Sequence, residues 1–233
     1  MADERGAGET GATPRRWLLA IDSSTERAGV ALSDGDYLAE TLWQAGRTQT
    51  TTVLPEIDHL LGLAGIAPAE LTAIAVATGP GTFNGLRVGL SVAKGLVLAS
   101  GARLLGVPTL DVAALPFAGE RPVVAVLAAG RGRLVWATYQ TTPDGWAQTV
   151  PPRNGRSADL AAELGALPNG TLVTGELTDA LADEWARLPG IVLPPAPLRV
   201  RRPAALIALA WPRLLAGEFD DPAGLEPVYL HGR

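Results

Sequence analysis

The sequence predicts an α/β protein of two lobes, and three observations carry that reading. The first half runs in the order β-β-β-α-β-α-β-α, its strands read as apolar or alternating runs and its helices as stripes of period 3.6. The second half repeats much of that order in weaker form. The chain, at 233 residues, is long enough to bury one large core or two small ones without staples, and strands alternating with helices favour sheets covered by helices.

Residues 1–15, "MADERGAGETGATPR", are small, charged and aperiodic, and read as a loose tail that cannot bury enough apolar surface to offset its ordering entropy. Arg15 and Arg16 followed by "WLLAI" have the outline of a secretory signal, but Asp22 ends the apolar run too early for one. "RWLLAIDSS" (Arg16 to Ser24) is a buried strand, and "AGVALSDGDYLAETLWQ" gives two more joined by the turn residues "SDGD". Val53, Leu54, Ile57, Leu60 and Leu61 then share one helical face. Pro55 suits a first turn, whereas the threonines of "RTQTTTV" could start the helix earlier.

"AIAVATGPGTFNGLRVGLSVAKGLVLAS" (Ala73 to Ser100) is a strand, a glycine-rich turn and a helix with almost no charge. A short strand around Arg103 to Gly106 and a helix from about Thr109 complete the first lobe, placed at residues 16–118. In the second lobe, residues 119–233, "PVVAVLAAG" and "RLVWATYQ" precede a turn at "TPDG", a helix from about Ser157, "TLVTGE", a helix near Asp179 to Arg187 and "IVL". "PPAPLRVRRP" reads as a solvated, proline-rich connector. Pro203 to Ala216 is a last helix, stopped by Gly217 and able to pack back on the first lobe.

Composition excludes several function classes. With no cysteine there is neither a disulfide framework nor a thiolate nucleophile, which fits a cytoplasmic, reducing setting. A formal charge of −5 argues against a face that grips nucleic acid by neutralising phosphates, so any nucleic-acid role is indirect. The apolar stretch from Leu86 to Ala99 is broken by Arg87, Ser91 and Lys94 and does not span a membrane. The two histidines, His59 and His231, form no metal-ligand pair, and no G-x-S-x-G elbow accompanies them.

Two places could carry function. Gly79, Gly81 and Gly85 give G-x-G-x-x-x-G, which matches neither a P-loop nor a dinucleotide loop, so a tight structural turn is the plainer reading. The helix after it places Gly85, Gly89 and Ala93 four apart, a groove of small side chains that lets another backbone approach. Leu86, Val88, Leu90, Val92, Leu96 and Val97 lie opposite, so this helix needs cover on more than one side, from its own domain or from a partner. Asp22, with Ser23, Ser24 and Thr25, ends the first strand: it could hold a metal-bound water, or simply be a turn aspartate bonding its own backbone.

"LLAIDSSTERAGVAL", "TQTTTVLPEIDHLL", "AVATGPGTFNGLRVGLSVAKGLVLA", "GVPTLDVAA", "VWATY" and "EPVYLHG" together resemble the TsaB (YeaZ) family, the dimerisation subunit of the bacterial machinery for tRNA threonylcarbamoyladenosine. The resemblance implies an actin-like, Hsp70-like and sugar-kinase-like fold, each lobe a mixed sheet of β-β-β-α-β-α type. It also implies a non-catalytic subunit that pairs with a TsaD-like paralogue through the helices at Thr50–Leu63 and Phe83–Ser100. ATP and metal are then expected on that paralogue, a TsaE-like P-loop ATPase joins the pair, and a homodimer forms in isolation. The expected interface comprises Val53, Leu54, Ile57 and Leu61 with Gly85, Leu86, Gly89, Val92 and Ala93. Gln49 stands where the family often has histidine, and Ala128 and Gly130 replace a family aspartate and arginine. What would remain of a nucleotide site is Asp22, Ser23, Ser24, Gly79 and Gly81. A small-molecule kinase or ATPase of the same fold using Asp22 is the alternative, and the loss of acid at Ala128 counts against it.

Overall fold

The apolar run Trp17–Asp22 forms strand β1, buried along its whole length because both faces of its sheet are covered. A computed structural model describes residues 15–46, 48–130 and 132–230; the expectations for residues 1–14 and for His231 lie outside the described residues. β1 pairs antiparallel with β2 (Arg27–Ser33), and β2 with β3 (Leu38–Gln44). Helix α1 (Gln49–Ala64) carries the chain to β4 (Leu71–Gly79), parallel to β1. Helix α2 (Phe83–Ser100) leads on to β5 (Arg103–Pro108), parallel to β4. The order is β3-β2-β1-β4-β5. α1 therefore begins at the earlier of the two starts allowed by the threonines, with Pro55 inside it.

The short helix α3 (Thr109–Ala114) crosses to the second sheet, built of β6 (Val123–Ala128), β7 (Arg133–Thr142), β8 (Gly145–Arg156), β9 (Thr171–Gly175) and β10 (Ile191–Val192). Its order, β10-β9-β6-β7-β8, is the first sheet's topology again: an antiparallel meander, then parallel strands on the other side of the leading strand. The residue pattern alone gives no strand after the "TPDG" turn, whereas the family resemblance implies a third strand in this lobe as in the first. β8 is nonetheless long, and it tolerates Pro151 and Pro152 because it is an edge strand that need not donate every N–H. Helices α4 (Ser157–Leu164) and α5 (Asp179–Trp185) place Leu160, Leu164 and Trp185 against Val124, Val126 and Val173 of the sheet.

The last helix, α6 (Pro203–Ala216), returns to the first sheet. Strand alternation sorts that sheet into two unlike faces. Leu19, Ile21, Ile74, Val76 and Leu104 meet α1 and α2. The opposite face is rich in alanine, with Ala20, Ala31, Ala73, Ala75 and Ala77 beneath Leu206, Ile207, Ala210 and Leu214 of α6. Small side chains on the sheet let the helix lie close, and each buried leucine or isoleucine of α6 contributes roughly 1.5–3 kcal/mol. At Gly29 a Cβ would stand 2.4 Å from Pro203 Cγ, so the first turn of α6 rests directly on β2 backbone. Beyond α6 the chain runs along β5, Asp220 N donating to Leu104 O at 2.9 Å and Gly106 N to Asp220 Oδ2 at 2.6 Å. The last described residue, Leu230, lies against the second sheet, where Asn154 Nδ2 donates to its carbonyl oxygen at 2.7 Å. Among the described residues no helix is long and apolar enough to cross a membrane.

Candidate functional site

The β1–β2 turn, Asp22 to Glu26, is where the two lobes and the first two helices converge. Asp22 is buried at the end of β1, and its Oδ1 accepts from Ser24 N at 3.0 Å and Ser24 Oγ at 2.6 Å. Its Oδ2 accepts from Arg201 Nε at 2.9 Å. The same guanidinium donates from Nη1 to Glu176 Oε1 at 2.6 Å and from Nη2 to Thr25 Oγ1 at 2.9 Å. The Thr25 hydroxyl in turn donates to Glu176. One cation thus joins β1, the segment after β9 and the connector before α6.

A guanidinium this deeply buried is stable only when its N–H fork is filled, and here two carboxylates and a hydroxyl fill it. Burial pushes the Asp22 pKa up, but the Arg201 charge and hydrogen bond, with two bonds from Ser24, outweigh it and hold the carboxyl below the usual carboxylate range. Arg201 is shifted upward: burial opposes its charge, and the two carboxylates more than compensate.

The segment "RVRRP" is not a wholly solvated connector: Arg202 is exposed, but Arg201 is the one buried cation among the described residues. Asp22, Ser23, Ser24 and Gly81 lie at the β1–β2 turn, which is packed by protein, whereas Gly79 lies against Val228 and Thr109. Gly81 presses on the Ser24 carbonyl, 2.2 Å from where a Cβ would stand, and Gly79 on the Val228 carbonyl at 2.5 Å. Asp22 is thus engaged on both oxygens, Oδ1 by Ser24 and Oδ2 by Arg201. Beside it a cleft of about 330 Å³ opens between the lobes, lined by Arg27, Ala128, Gly130 and Glu176 among others. Ala128 brings a methyl group to that wall, and Glu176 a carboxylate already paired with Arg201. Among the described residues no cluster of acidic or histidine side chains could hold a metal ion.

The second candidate is the outer surface of α1 and α2. Here the expected anchors need correction. Val53, Ile57, Leu61, Leu86 and Ala93 are buried in the lobe's own core, and Val92 is half-buried against it. Their apolar surface is already spent on β1, β2 and β4. The Gly85–Gly89 groove is also used internally: a Cβ at Gly85 would lie 2.2 Å from Ser23 O, and one at Gly89 2.5 Å from Ser23 Oγ. It receives the β1–β2 turn, and Ser23 Oγ donates to Gly85 O at 2.8 Å.

Leu54 alone of the expected anchors faces outward, at 50% exposure, and Leu63, Phe83 and Leu98 (86%) join it. Gly62 on α1 and Gly95 on α2 have no atom within 4 Å of a would-be Cβ, and Ser91 and Ala99 flank Gly95 on the same exposed stripe. Sequence alone could have found this second stripe, since Ser91, Gly95 and Ala99 repeat at the same spacing as Gly85, Gly89 and Ala93. Arg87 sits over the Phe83 ring at 3.7 Å, and Phe83 lies 5.4 Å from Tyr229. His59 is exposed on α1.

Residues 44–178, over half of the chain, match the family model described as TsaD: tRNA N6-adenosine threonylcarbamoyltransferase. The protein named tRNA threonylcarbamoyladenosine biosynthesis protein TsaB from Escherichia coli is 33% identical over 131 residues, 55% of this chain and 57% of that one. The structure of YeaZ from Pseudomonas aeruginosa superposes with a TM-score of 0.74 at 25% identity, covering 92% of this chain and all of that one. The chain belongs to the TsaB/YeaZ family. A TsaB protein of Bacillus subtilis is 31% identical over 61% of this chain and 63% of its own length. A tRNA N6-adenosine threonylcarbamoyltransferase of Pelobacter propionicus is 28% identical over 78% of this chain and 58% of its own. The matched segment thus spans less than two thirds of these curated relatives. The duplicated sheet is the actin-like, Hsp70-like and sugar-kinase-like arrangement expected of TsaB/YeaZ proteins.

Proposed function

We propose that this chain is a non-catalytic docking subunit of tRNA threonylcarbamoyladenosine formation, pairing with a TsaD-like paralogue through the outward face of α1 and α2. The observation that carries the reading is that face: Leu54, Leu63 and Leu98 stand in solvent beside glycines with open space above them. Exposed apolar side chains next to small residues suit close helix-on-helix packing. The likeness of this chain to TsaD proteins supports a partner of the same fold, whose equivalent helices would meet these about a pseudo-two-fold axis. A second copy of the chain would cover the face when the paralogue is absent.

On this reading the ATP and metal chemistry belongs to the TsaD-like partner, a TsaE-like ATPase joins the pair, tRNA is reached indirectly, and the assembly works in the cytoplasm. The ion pair that Asp22 makes with Arg201, in place of a free carboxylate, supports a subunit without phosphoryl-transfer chemistry of its own. The test is the threonylcarbamoyladenosine content of bulk tRNA, measured by nucleoside mass spectrometry after depletion of this protein. Loss of the modified base, restored by the wild type but not by the pair Leu54→Glu and Leu98→Glu, is the expected result. An unchanged level on depletion refutes the reading.

A further inference from the structure

We infer that Arg201 is a positioning residue for the docking face, acting from the buried ion cluster through the β1–β2 turn. The inference rests on the docking reading above.

The path is made of single, short contacts. On one side of the turn Arg201 holds Asp22 Oδ2 and Thr25 Oγ1, and through Glu176 it ties both to the second lobe. On the other side the turn supports the first turns of both docking helices. Gln49, the first residue of α1, donates Nε2–H to Thr25 O at 2.6 Å. Thr82, the residue that caps α2, donates its backbone N–H to Ser24 O at 2.7 Å. Ser23 Oγ donates to the carbonyl of Gly85 in the first turn of α2 at 2.8 Å. The missing side chains at Gly81 and Gly85 let these backbones touch, so a shift of the turn must be passed to α2.

Removing the guanidinium leaves two carboxylates facing each other across the lobe boundary, one of them wholly buried, with only Ser24 and Thr25 to satisfy them. The turn would then let in water, and the helix starts that lean on it would lose their reference. The side chain of Arg201 is itself 3% exposed, so any effect on docking travels through the protein. The neighbouring Arg202 is the natural control: it is exposed and pairs with Glu40 on β3.

The experiment compares the wild type with Arg201→Met, Arg201→Lys, Glu176→Gln and Arg202→Met. Self-association is read by sedimentation, pairing with the TsaD-like paralogue by calorimetry, and amide exchange residue by residue. Arg201→Met is expected to weaken pairing at least tenfold and to speed exchange at Ser24, Thr82 and Gly85, with β4 and β6 amides unchanged. Arg201→Lys, which keeps the charge but cannot fill all three positions, recovers part of the pairing, and Arg202→Met loses none. Glu176→Gln serves if Arg201→Met does not fold, with the same pattern in smaller degree. Wild-type pairing in a folded Arg201→Met or Glu176→Gln overturns the inference. A loss of exchange protection spread equally over β4 and β6 also overturns it, because the role is then merely structural. If Leu98→Glu leaves pairing intact, the docking reading itself has failed. Exchange alone then decides, and unchanged Thr82 and Gly85 amides in Arg201→Met sink the coupling as well.

Discussion

Two glycines ten positions apart on α2 should respond to the same substitution with opposite signs. At Gly85 an added Cβ would stand 2.2 Å from the Ser23 carbonyl oxygen and 2.6 Å from Thr82 Oγ1. The carbonyl is backbone and cannot rotate aside, so the turn must retreat by more than about 1 Å to reach ordinary contact. That retreat breaks the Ser23–Gly85 and Thr82–Ser24 hydrogen bonds, each worth about 1 kcal/mol, and adds overpacking of about 1–3 kcal/mol. Against this, alanine in a helix gains about 0.5–1 kcal/mol over glycine. Gly85→Ala should therefore lose about 2–4 kcal/mol net, a fall in Tm of roughly 5–15 °C at about 2–4 °C per kcal/mol for a chain of this size. Gly95 has nothing within 4 Å, so Gly95→Ala keeps the helix gain and should melt about 1–4 °C higher. Thermal melts of the two variants, with urea titrations to confirm the sign, decide it. Equal melting temperatures would show that the small stripe under the β1–β2 turn is not in backbone contact, and the correction to the docking face would fall with it.

Other outcomes follow from the same contacts. Leu54→Glu or Leu98→Glu should weaken self-association at least tenfold, about 1.4 kcal/mol, while leaving the melt within about 0.5 kcal/mol of wild type; gel filtration with light scattering reads the first and calorimetry the second. The depressed pKa of Asp22 means its stabilising contribution is present above the unfolded carboxylate value of 3.8 and is lost as pH falls through the folded value. The stability gap between wild type and Asp22→Asn should then be level above about pH 5 and shrink below about pH 4; a gap that stays level down to pH 2 contradicts the ion cluster. Asp111 has the opposite sign: burial raises its pKa, against a hydrogen bond from Tyr139 at 2.7 Å. Its carboxyl favours the folded state below the unfolded value and opposes it as pH rises. Asp111→Asn, which still accepts from Tyr139, should therefore be more stable than wild type at pH 7 in urea titrations, and a less stable variant would refute this.

Much of the fold was legible because strands and helices left distinct periods. β1 and β4 are short, mostly apolar runs of the kind a sheet covered on both faces produces, and α1 carries one clear stripe. The orientation of α2 was not legible. Apolar residues surround it, so periodicity could not say whether the Gly85 stripe or the Ser91 stripe faced the sheet; the answer lies in Ser23, 62 positions away from Gly85. Arg201 was hidden for the same reason. Its partners are 179 and 25 positions distant, and a prolyl, arginine-rich segment has the composition of a solvated linker whatever it touches. Local signals place elements; the ion cluster exists only after the two lobes meet. The edge strand β8 was missed because its exposed, proline-bearing sequence has little of a strand's alternation.

The alanine-rich face under α6 also bears on synthesis at the ribosome. α1 and α2 emerge within the first lobe and can cover the large side chains of their sheet at once. The helix for the other face is made only after the whole second sheet, on the order of 5–20 s later at about 5–20 residues per second. For that interval the nascent sheet shows a face on which five methyl groups, those of Ala20, Ala31, Ala73, Ala75 and Ala77, dilute the larger Leu18, Leu105 and Val107. Such a surface adheres far less strongly to other nascent chains than the leucine and isoleucine face would. The division of small and large residues between the two faces thus matches the order in which their covers are born.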